Sequence, residues 1–392
     1  MIQLIDKLTI ILVFLIPLEG IVIFNGVTLS RVTAMLIILV YFTNLLLTRG
    51  NIQLNKITIF YLLYISLIIL SGIFFPQINI FSSRAISIYS NLFLIISIYN
   101  TTLSEYKIIQ IMKSFAFGLF IANIIAIVEP FFGYRGTFHV VGLGSNLYAV
   151  YCLLGFFINV FFVINYRIIK NIYQFNLHIL FALINLHGLI IADSRLNLIY
   201  LVSFMLLLYI NLEMAKTMYK KIIFLIVFIS FASYIYYVQA TKYDISFDKI
   251  MLDSRIIHWI ANFDMFLDYP FTGVGFGQYG ENFGYTYQFF YDTVKDYGSD
   301  RSHHSTFLGS MAEFGLLGIL FWISFFYFQI MDYKKYANNK NKNSFGLSTN
   351  YFIHFLALIC TIGIITSDMI TYKLFWIIFI MKDRILKLRS SF

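Results

Sequence analysis

Apolar blocks long enough to cross a lipid bilayer constrain the fold of this 392-residue chain more than any other feature. A transmembrane helix needs about 20 predominantly apolar residues to cross roughly 30 Å of hydrocarbon. Twelve blocks reach or approach that length, at about 7–26, 29–48, 57–75, 85–100, 107–128, 142–165, 176–193, 196–211, 219–239, 305–331, 351–367 and 370–386. Only 12% of the residues are charged, whereas a soluble domain carries roughly 25%. We therefore expect an all-α integral membrane protein with about 12 transmembrane helices.

Three of these blocks leave a choice of interpretation. The seventh and eighth are separated only by Asp193-Ser194-Arg195, so they can be counted differently. The first block lacks a small-residue cleavage site, and we interpret it as a retained helix instead of a signal peptide. Residues 1–392 are then a single polytopic membrane domain.

The distribution of basic residues predicts the orientation in the membrane. Lys and Arg concentrate in cytoplasmic loops of membrane proteins. With the N-terminus inside, 18 of the 28 basic residues fall on the cytoplasmic side. We therefore expect both termini in the cytoplasm. The net charge of +9 follows from this pattern and does not indicate nucleic-acid binding.

Arginine departs from this rule. Of the ten arginines, six fall on the outer side: Arg31, Arg84, Arg135, Arg195, Arg255 and Arg301. The planar guanidinium binds phosphate and carboxylate with a fixed fork of donors, and its charge persists on burial. We expect an outward-facing anion site. For any single arginine, pairing with Asp or Glu at a helix end is an equally good explanation.

One connection is long. Residues 240–304 join the ninth and tenth predicted helices, and we expect them to form a large periplasmic loop. Apolar residues recur at helical spacing over about 253–269, which predicts an amphipathic helix on the outer membrane surface or across the mouth of a cavity.

A glycine motif follows this helix. Residues 270–280 read PFTGVGFGQYG, in which Gly275, Gly277 and Gly280 have G-x-G-x-x-G spacing. A dinucleotide-binding turn needs a strand before the first glycine and a βαβ unit around it, and here a helical pattern precedes it. We interpret the glycines either as a sharp turn that brings backbone close to a ligand or as a hinge.

The order of motifs on the outer side resembles the O-antigen ligase and O-antigen polymerase superfamily of bacterial surface-polysaccharide assembly. The matching residues are Ser194-Arg195, Arg255 with Trp259, Pro270 with Gly273, Gly275 and Gly277, His304-Ser305, and Glu313 with Gly315 and Gly318. Two departures are the adjacent His303 and His304, where the family has a single His, and the unanchored Arg135-Gly136-Thr137 stretch.

The resemblance implies glycosyl transfer from a polyprenyl diphosphate-linked oligosaccharide, without a nucleotide, metal or other cofactor. The lipid-linked oligosaccharide is both donor and acceptor, and a chain-length regulator protein is a candidate partner. Fixed cations then hold the charge of the leaving diphosphate. Arg195 and Arg255 are the candidates, supported by Arg135 and Arg84, and His304 is the candidate proton acceptor. His303, Glu313, Gly275 and Gly277 complete the expected substrate-binding set.

Simpler roles compete with these assignments. Arg195 can pair with Asp193, either His303 or His304 can cap the tenth helix, and Glu313 can orient an arginine because a carboxylate inside a membrane helix needs a partner. At the level of function, a polymerase of lipid-linked repeat units competes with a ligase that passes the glycan to lipid A-core. A transporter of a lipid-linked sugar is a third reading, but its charges would lie near the bilayer midplane.

Overall fold

The computed structural model describes residues 1–19, 22–24, 27–101, 104–129, 145–165, 171–192, 197–198, 200–202, 205, 254–283, 304–338, 349–366 and 368–390. This part of the chain is mostly helical, in agreement with the predicted all-α class. Its α-helices are α1 (Ile2–Leu15), α2 (Leu29–Thr48), α3 (Lys56–Phe74), α4 (Ser83–Tyr99), α5 (Glu105–Val128), α6 (Ser145–Ile164), α7 (Ile172–Ile191), α8 (Ser254–Asp268), α9 (Tyr279–Asn282), α10 (Thr306–Phe314), α11 (Leu316–Asn338), α12 (Thr349–Thr366) and α13 (Lys373–Ser390). Two short strands, β1 (Val22–Phe24) and β2 (Val27–Thr28), form an antiparallel pair.

Within the described ranges, six helices are long and apolar enough to cross a membrane. They are α2, α3, α5, α7, Leu147–Ile164 of α6 and Leu316–Lys334 of α11. The apolar helices Ser83–Tyr99 and Phe352–Ile365 are shorter. The predicted span 219–239, most of the span 196–211 and most of the loop 240–304 lie outside the described residues. The total of twelve spans stays a prediction.

The first apolar block is not one helix, which corrects the expectation for residues 7–26. Helix α1 ends at Leu15, and a 3₁₀-helix over Ile16–Leu18 with Pro17 near its start follows it. Proline lacks the backbone N–H that a longer α-helix would need. The chain then passes into β1, and the buried Ser30 hydroxyl donates to Glu19 Oε1 at 2.9 Å.

The tenth predicted helix, residues 305–331, is broken into α10 and α11 at Gly315. This glycine has φ 62° and ψ −139°, a conformation that is strained for residues with a Cβ. A Cβ at Gly318 would overlap the Ser310 carbonyl, so its absence lets α11 pack closely against α10. Gly315 is also closely packed, since a Cβ at this position would overlap the Pro270 carbonyl.

Two compact units can be described. The first comprises Met1–Asn51, Thr101–Asp244 and Lys340–Leu356. In it, Gly118 of α5 lies so close to the Phe14 carbonyl that a Cβ would overlap it. Buried polar groups also join the helices, since Asn123 Nδ2 of α5 donates to Asn185 Oδ1 of α7 at 2.8 Å. Small residues and buried amides of this kind hold membrane helices together.

The second unit comprises Ile52–Asn100, Ile245–Asn339 and Ala357–Phe392. Side chains of α3 and α4 bond to the rest of it: Tyr61 Oη donates to the Ile370 carbonyl at 3.3 Å, and Asn91 Nδ2 donates to the Thr371 carbonyl at 2.9 Å. Tyr64 Oη and Ser310 Oγ lie 3.2 Å apart, which ties α3 to α10.

Helix α8 (Ser254–Asp268) lies within the segment, about 253–269, for which an amphipathic helix was predicted. Its buried residues Ile257, Ala261 and Met265 recur every four positions, as expected for one face of a helix. They pack in a core cluster with Val274, Tyr279, Phe283 and Ala312. The helix ends just before Pro270, and this packing places the glycine motif against α10.

Candidate functional site

Backbone hydrogen bonds attach the glycine loop, residues 273–277, to the C-terminal end of α10. The Val274 N–H donates to the Ala312 carbonyl at 2.9 Å, and the Gly275 N–H donates to the Glu313 carbonyl at 3.1 Å. The last four carbonyls of a helix lack an intrahelical partner. The glycine loop therefore supplies donors that the end of α10 requires.

Three glycines of this loop have a left-handed backbone. Their φ angles are 65° at Gly273, 99° at Gly275 and 76° at Gly277. A Cβ at Gly273 would overlap the peptide between Glu313 and Phe314, whereas a Cβ at Gly277 would meet no atom within 4 Å. The close approach at Gly273 is therefore to the protein's own helix. An approach of this loop to a lipid diphosphate or a sugar stays a prediction.

Glu313 carries a buried carboxylate at the centre of this arrangement. Its side chain is 0% exposed, and Arg84 Nη1 donates to its Oε1 at 2.6 Å. The Gly277 N–H donates to the same oxygen at 3.0 Å. Its Oε2 has no hydrogen-bond partner among the described residues. Because an isolated charge is costly to bury, Glu313 needs this arginine, as its position in an apolar segment predicts.

Arg84 is held on a second side by an aromatic ring. Its guanidinium carbon lies 4.9 Å from the centroid of the Phe276 ring, a cation–π distance. Phe276 is fixed in turn, since its N–H donates to Ser71 Oγ at 2.8 Å. The Arg84 side chain is 23% exposed. Its charge is balanced by Glu313, so its structural role is to hold the glycine loop and α10 together.

A second cluster contains two histidines and a tyrosine. His258 Nδ1 lies 2.6 Å from Tyr279 Oη, and the His258 ring is stacked on Phe283. The rings of His258 and His304 are 4.7 Å apart. The two imidazole rings and the tyrosine hydroxyl are thus close enough to act together.

His304 has an unusual backbone conformation. Its φ angle is 52°, and Arg49 is the only other non-glycine residue with positive φ in the described part of the chain. Such conformations are uncommon outside glycine and are concentrated at functional sites. Ser305, not His304, caps α10, because Ser305 Oγ accepts from the Leu308 N–H at 3.1 Å. Capping therefore does not explain His304.

The structure brings four of the predicted site residues into one cluster: Arg84, Glu313, Gly275 and Gly277. His304 lies elsewhere, just before the start of α10. The nine residues of α10 span about 14 Å at 1.5 Å per residue, so His304 and Glu313 are not in contact. The segment that carries Gly277 also carries Tyr279, which connects the two clusters along the chain.

The other predicted site residues are not placed by the structure. Arg255 lies in the first turn of α8, but its side chain is outside the described part of the chain. Arg135, Arg195 and His303 lie outside the described residues altogether. Their assignments stay predictions.

Sequence reasoning gave little weight to two residues that contact the predicted site. Neither His258 nor Tyr279 was among the predicted site residues. Their signal was local: His258 follows Arg255 by one helical turn, and Tyr279 lies inside the glycine motif. Only their packing against His304 and Phe283 separates them from other aromatic side chains.

The described side chains support two kinds of chemistry. An imidazole such as that of His258 or His304 can accept or donate a proton, and the phenol of Tyr279 can donate or accept a hydrogen bond. The Arg84–Glu313 pair can fix the geometry of the loop. In the described ranges, no group of three or more His, Cys, Asp or Glu residues lies close enough together to hold a metal ion.

The segment that contains most of these residues matches a known family. A search of the curated proteins found no match. Residues 180–323 match the model of the family described as O-antigen ligase. This range includes the glycine loop, His258, His304 and Glu313, whereas Arg84 precedes it. The match supports an O-antigen ligase or polymerase type of function in general terms. The match of residues 180–323 supports the resemblance to the O-antigen ligase and polymerase superfamily that the motif order predicted.

Proposed function

We propose that this protein polymerises lipid-linked oligosaccharide repeat units in O-antigen or capsule biosynthesis. It transfers the glycan of one polyprenyl diphosphate carrier, such as undecaprenyl diphosphate, to the sugar end of another lipid-linked repeat unit. The observation that carries the proposal is the docking of the glycine loop on Glu313 and Arg84 within the family segment. Such docking fixes the exposed backbone of Gly277, two residues before Tyr279 of the histidine cluster.

The reaction requires stabilisation of a leaving diphosphate. The acceptor hydroxyl oxygen bonds to the anomeric carbon while the bond from that carbon to the diphosphate oxygen breaks, and the electron pair stays on the diphosphate. Fixed guanidinium groups suit this charge, because they need no metal to balance it and no reorganisation during the reaction. Arg195 and Arg255 are the residues assigned this role, with Arg135 in support.

Arg84 has a different part in this scheme from the one its sequence position indicated. Its charge is already balanced by the buried Glu313, with which it forms a 2.6 Å ion pair. It therefore positions the Gly277 amide, which bonds to the same carboxylate oxygen. Gly277 has open space around its Cα, so the backbone there can approach a sugar or phosphate oxygen closely.

His304 is assigned the proton of the acceptor hydroxyl. Its ring contacts His258, and His258 is hydrogen-bonded to Tyr279, so the imidazole is supported on a buried aromatic cluster. Arg255 lies one helical turn before His258 on α8. A cation for the diphosphate and a proton acceptor for the hydroxyl are thereby carried by neighbouring parts of one unit.

The location of the reaction follows from the same scheme. Basic residues favour a cytoplasmic position for both termini, and lipid-linked repeat units are consumed on the outer face of the inner membrane in the superfamily that this chain resembles. The active site is accordingly assigned to the periplasmic face.

A ligase is the second candidate, because the matching family is described as O-antigen ligase. Both reactions use the same donor, so the shared motifs do not separate them. The polymerase is preferred on the modest length of the chain and its high content of aromatic residues, with 29 Tyr and 44 Phe.

Deletion of the gene in its host distinguishes these functions. The surface glycan is extracted and separated on a gel, and the lipid-linked pool is extracted in parallel. A polymerase deletion leaves a single repeat unit on the core, whereas a ligase deletion leaves long glycans on the lipid carrier and none on the core. An unchanged glycan ladder in the deletion strain would contradict both functions.

Complementation then tests the site. Wild type, Arg195→Ala, Arg255→Ala and His304→Ala are expressed at equal membrane levels in the deletion strain. Loss of one preorganised charge donor lowers a rate roughly 10²–10³-fold, so each arginine variant is expected to lose the ladder. If all three variants restore a normal ladder, the assigned active site is wrong.

A further inference from the structure

A cavity of about 330 Å³ lies beside the glycine loop in the second unit. This volume falls at the lower end of the range for small-ligand sites, about 300–1,000 Å³. The side chains that line it include two aromatic rings and four polar groups: Phe75, Gln77, Tyr269, Gln278, Glu281 and Asn282. None of these residues was among the predicted site residues.

The polar groups of this cavity are available for a ligand. Among the described residues, the side chains of Gln77, Gln278 and Glu281 have no hydrogen-bond partner. Asn282 is anchored, since its Nδ2 donates to the Gln278 carbonyl at 2.8 Å. A side-chain amide offers two donor hydrogens and an acceptor oxygen, and a carboxylate offers acceptors alone. Together they match the mixed donors and acceptors of adjacent sugar hydroxyls.

The apolar groups complete this match. Tyr269 is 50% exposed, and Phe75 is partly exposed, so both rings are accessible at the cavity. The C–H faces of a sugar are apolar, and a pocket that combines aromatic surface with a few placed polar groups fixes such a ligand in one orientation.

The charge of the cavity excludes a diphosphate as its occupant. Among the described residues that line it, Glu281 is the one charged side chain, and it is acidic. An anionic ligand would be repelled, whereas an uncharged sugar or an amino sugar would not. The cavity is therefore chemically different from the arginine-based site that the leaving group requires.

Its position places a sugar next to the glycine loop that docks on Glu313. Gly273 and Val274 line the cavity, and the adjacent Gly275 and Gly277 bond to Glu313. The start of the glycine loop thus lines the cavity, and the rest of the loop contacts Glu313 of the ion pair.

We propose that this cavity is a saccharide subsite, which holds one uncharged or amino sugar of the lipid-linked glycan beside the reacting end. The inference rests on the proposed function for the identity of the glycan. Tyr269 and Phe75 supply the stacking surface, and Gln77, Gln278 and Glu281 supply the hydrogen bonds.

Direct binding tests the subsite. The probe is the repeat-unit oligosaccharide released by mild acid from the lipid carrier of the deletion strain, added to the purified full-length protein in detergent micelles. Saturation-transfer difference NMR and a titration report contact and affinity. Loss of one hydrogen bond or one stacking contact predicts about 3- to 10-fold weaker binding for Gln278→Ala and Tyr269→Ala. Tyr269→Phe keeps the ring and is expected to bind like wild type.

Matched controls separate the cavity from the rest of the surface. Gln3→Ala and Tyr106→Ala remove an exposed glutamine and an exposed tyrosine on α1 and α5, outside the cavity. Both are expected to bind the oligosaccharide as wild type does. Equal binding by the Gln278→Ala and Tyr269→Ala variants, at wild-type folding by size-exclusion chromatography, overturns the subsite. A second result also overturns the subsite: inorganic pyrophosphate displaces the oligosaccharide from the wild type but not from the Tyr269→Ala variant. The cavity would then be an anion site.

The glycan ladder separates failure of the subsite from failure of the proposed function. In one outcome, gene deletion changes the glycan ladder, and the Tyr269→Ala and Gln278→Ala variants both restore the ladder fully and bind the oligosaccharide as wild type does. The subsite is then refuted, whereas the proposed function stands. If deletion leaves the ladder unchanged, the proposed function fails. The subsite is then supported only if the oligosaccharide still binds and these two variants weaken it.

Discussion

The buried pair of Arg84 and Glu313 gives the sharpest test of the structure. Removal of one partner from a buried ion pair costs about 3–5 kcal/mol, because the other charge is left in an apolar environment. Two donors bond to Glu313 Oε1, namely Arg84 and the Gly277 N–H. Arg84→Met removes the first of these, so the Glu313 side chain, which is 0% exposed, keeps only the Gly277 N–H. We expect a cost near the lower limit, about 3 kcal/mol, because Arg84 is 23% exposed and water replaces part of its interaction.

The partner substitution has a smaller expected effect. Glu313→Gln keeps an oxygen that accepts from the Gly277 N–H and from Arg84, and it leaves the positive charge on the more exposed partner. Its expected cost is about 1–3 kcal/mol, the range for a weakened hydrogen bond to a charged group. The double variant contains no buried charge, so it is expected to be about 1–2 kcal/mol less destabilised than the sum of the single variants.

The assay is unfolding of the purified protein in mixed micelles titrated with sodium dodecyl sulfate, followed by circular dichroism. Lys56→Met is the matched control, because Lys56 is 57% exposed and lies 3.4 Å from Asp332. Exposed pairs of this kind contribute about 0–1 kcal/mol. The refuting result is a double variant whose loss of unfolding free energy equals the sum of the losses for Arg84→Met and Glu313→Gln within about 0.5 kcal/mol. The two side chains would then not interact, and the proposed anchoring of the glycine loop would be refuted.

Three further predictions concern the loop and the histidine cluster. His304→Asn removes the imidazole but keeps a residue type that tolerates positive φ, so we expect normal membrane levels. In a membrane assay with lipid-linked repeat units, we expect a roughly 10²–10⁴-fold loss of polymerisation. Wild-type activity would exclude His304 as the proton acceptor. Gly277→Ala adds only the left-handed strain of about 1–2 kcal/mol, whereas Gly273→Ala adds an overlap with α10. Thermal unfolding should therefore rank Gly273→Ala as the less stable variant, and equal stability would contradict the docked loop. Tyr279→Phe removes the hydrogen bond to His258 and is expected to cost about 0.5–1.5 kcal/mol in the same unfolding assay; no change would indicate that this bond does not form.

Local features of the sequence predicted the helices well and their interruptions poorly. Helix α8 was predicted within one residue at each end, because apolar spacing and Pro270 are visible in the sequence. The break at Gly315 was missed, because an apolar block continues on both sides of it. A glycine in such a block is compatible with a continuous helix, and only the backbone angles at that position reveal the turn. The interruption after Leu15 was missed for the same reason, although Pro17 marked its place.

The candidate site was predicted in part. Burial made it necessary that Glu313 have a cationic partner, but the sequence offered six arginines on the outer side. The structure selects Arg84, which is separated from Glu313 by 229 residues. We propose a positioning role for Arg84 from this pairing, whereas its predicted support of the leaving diphosphate stays a prediction.

The sequence by itself determined the membrane-protein class, the positions of most described helices, the family resemblance and the side chains available for chemistry. These properties depend on composition, periodicity and the order of motifs along the chain. The tertiary structure decided that Glu313 meets Arg84, that the glycine loop docks on α10 and that His258 lies against His304. Such contacts join residues that are distant in the chain, and their geometry depends on how the helices pack, which local spacing does not specify.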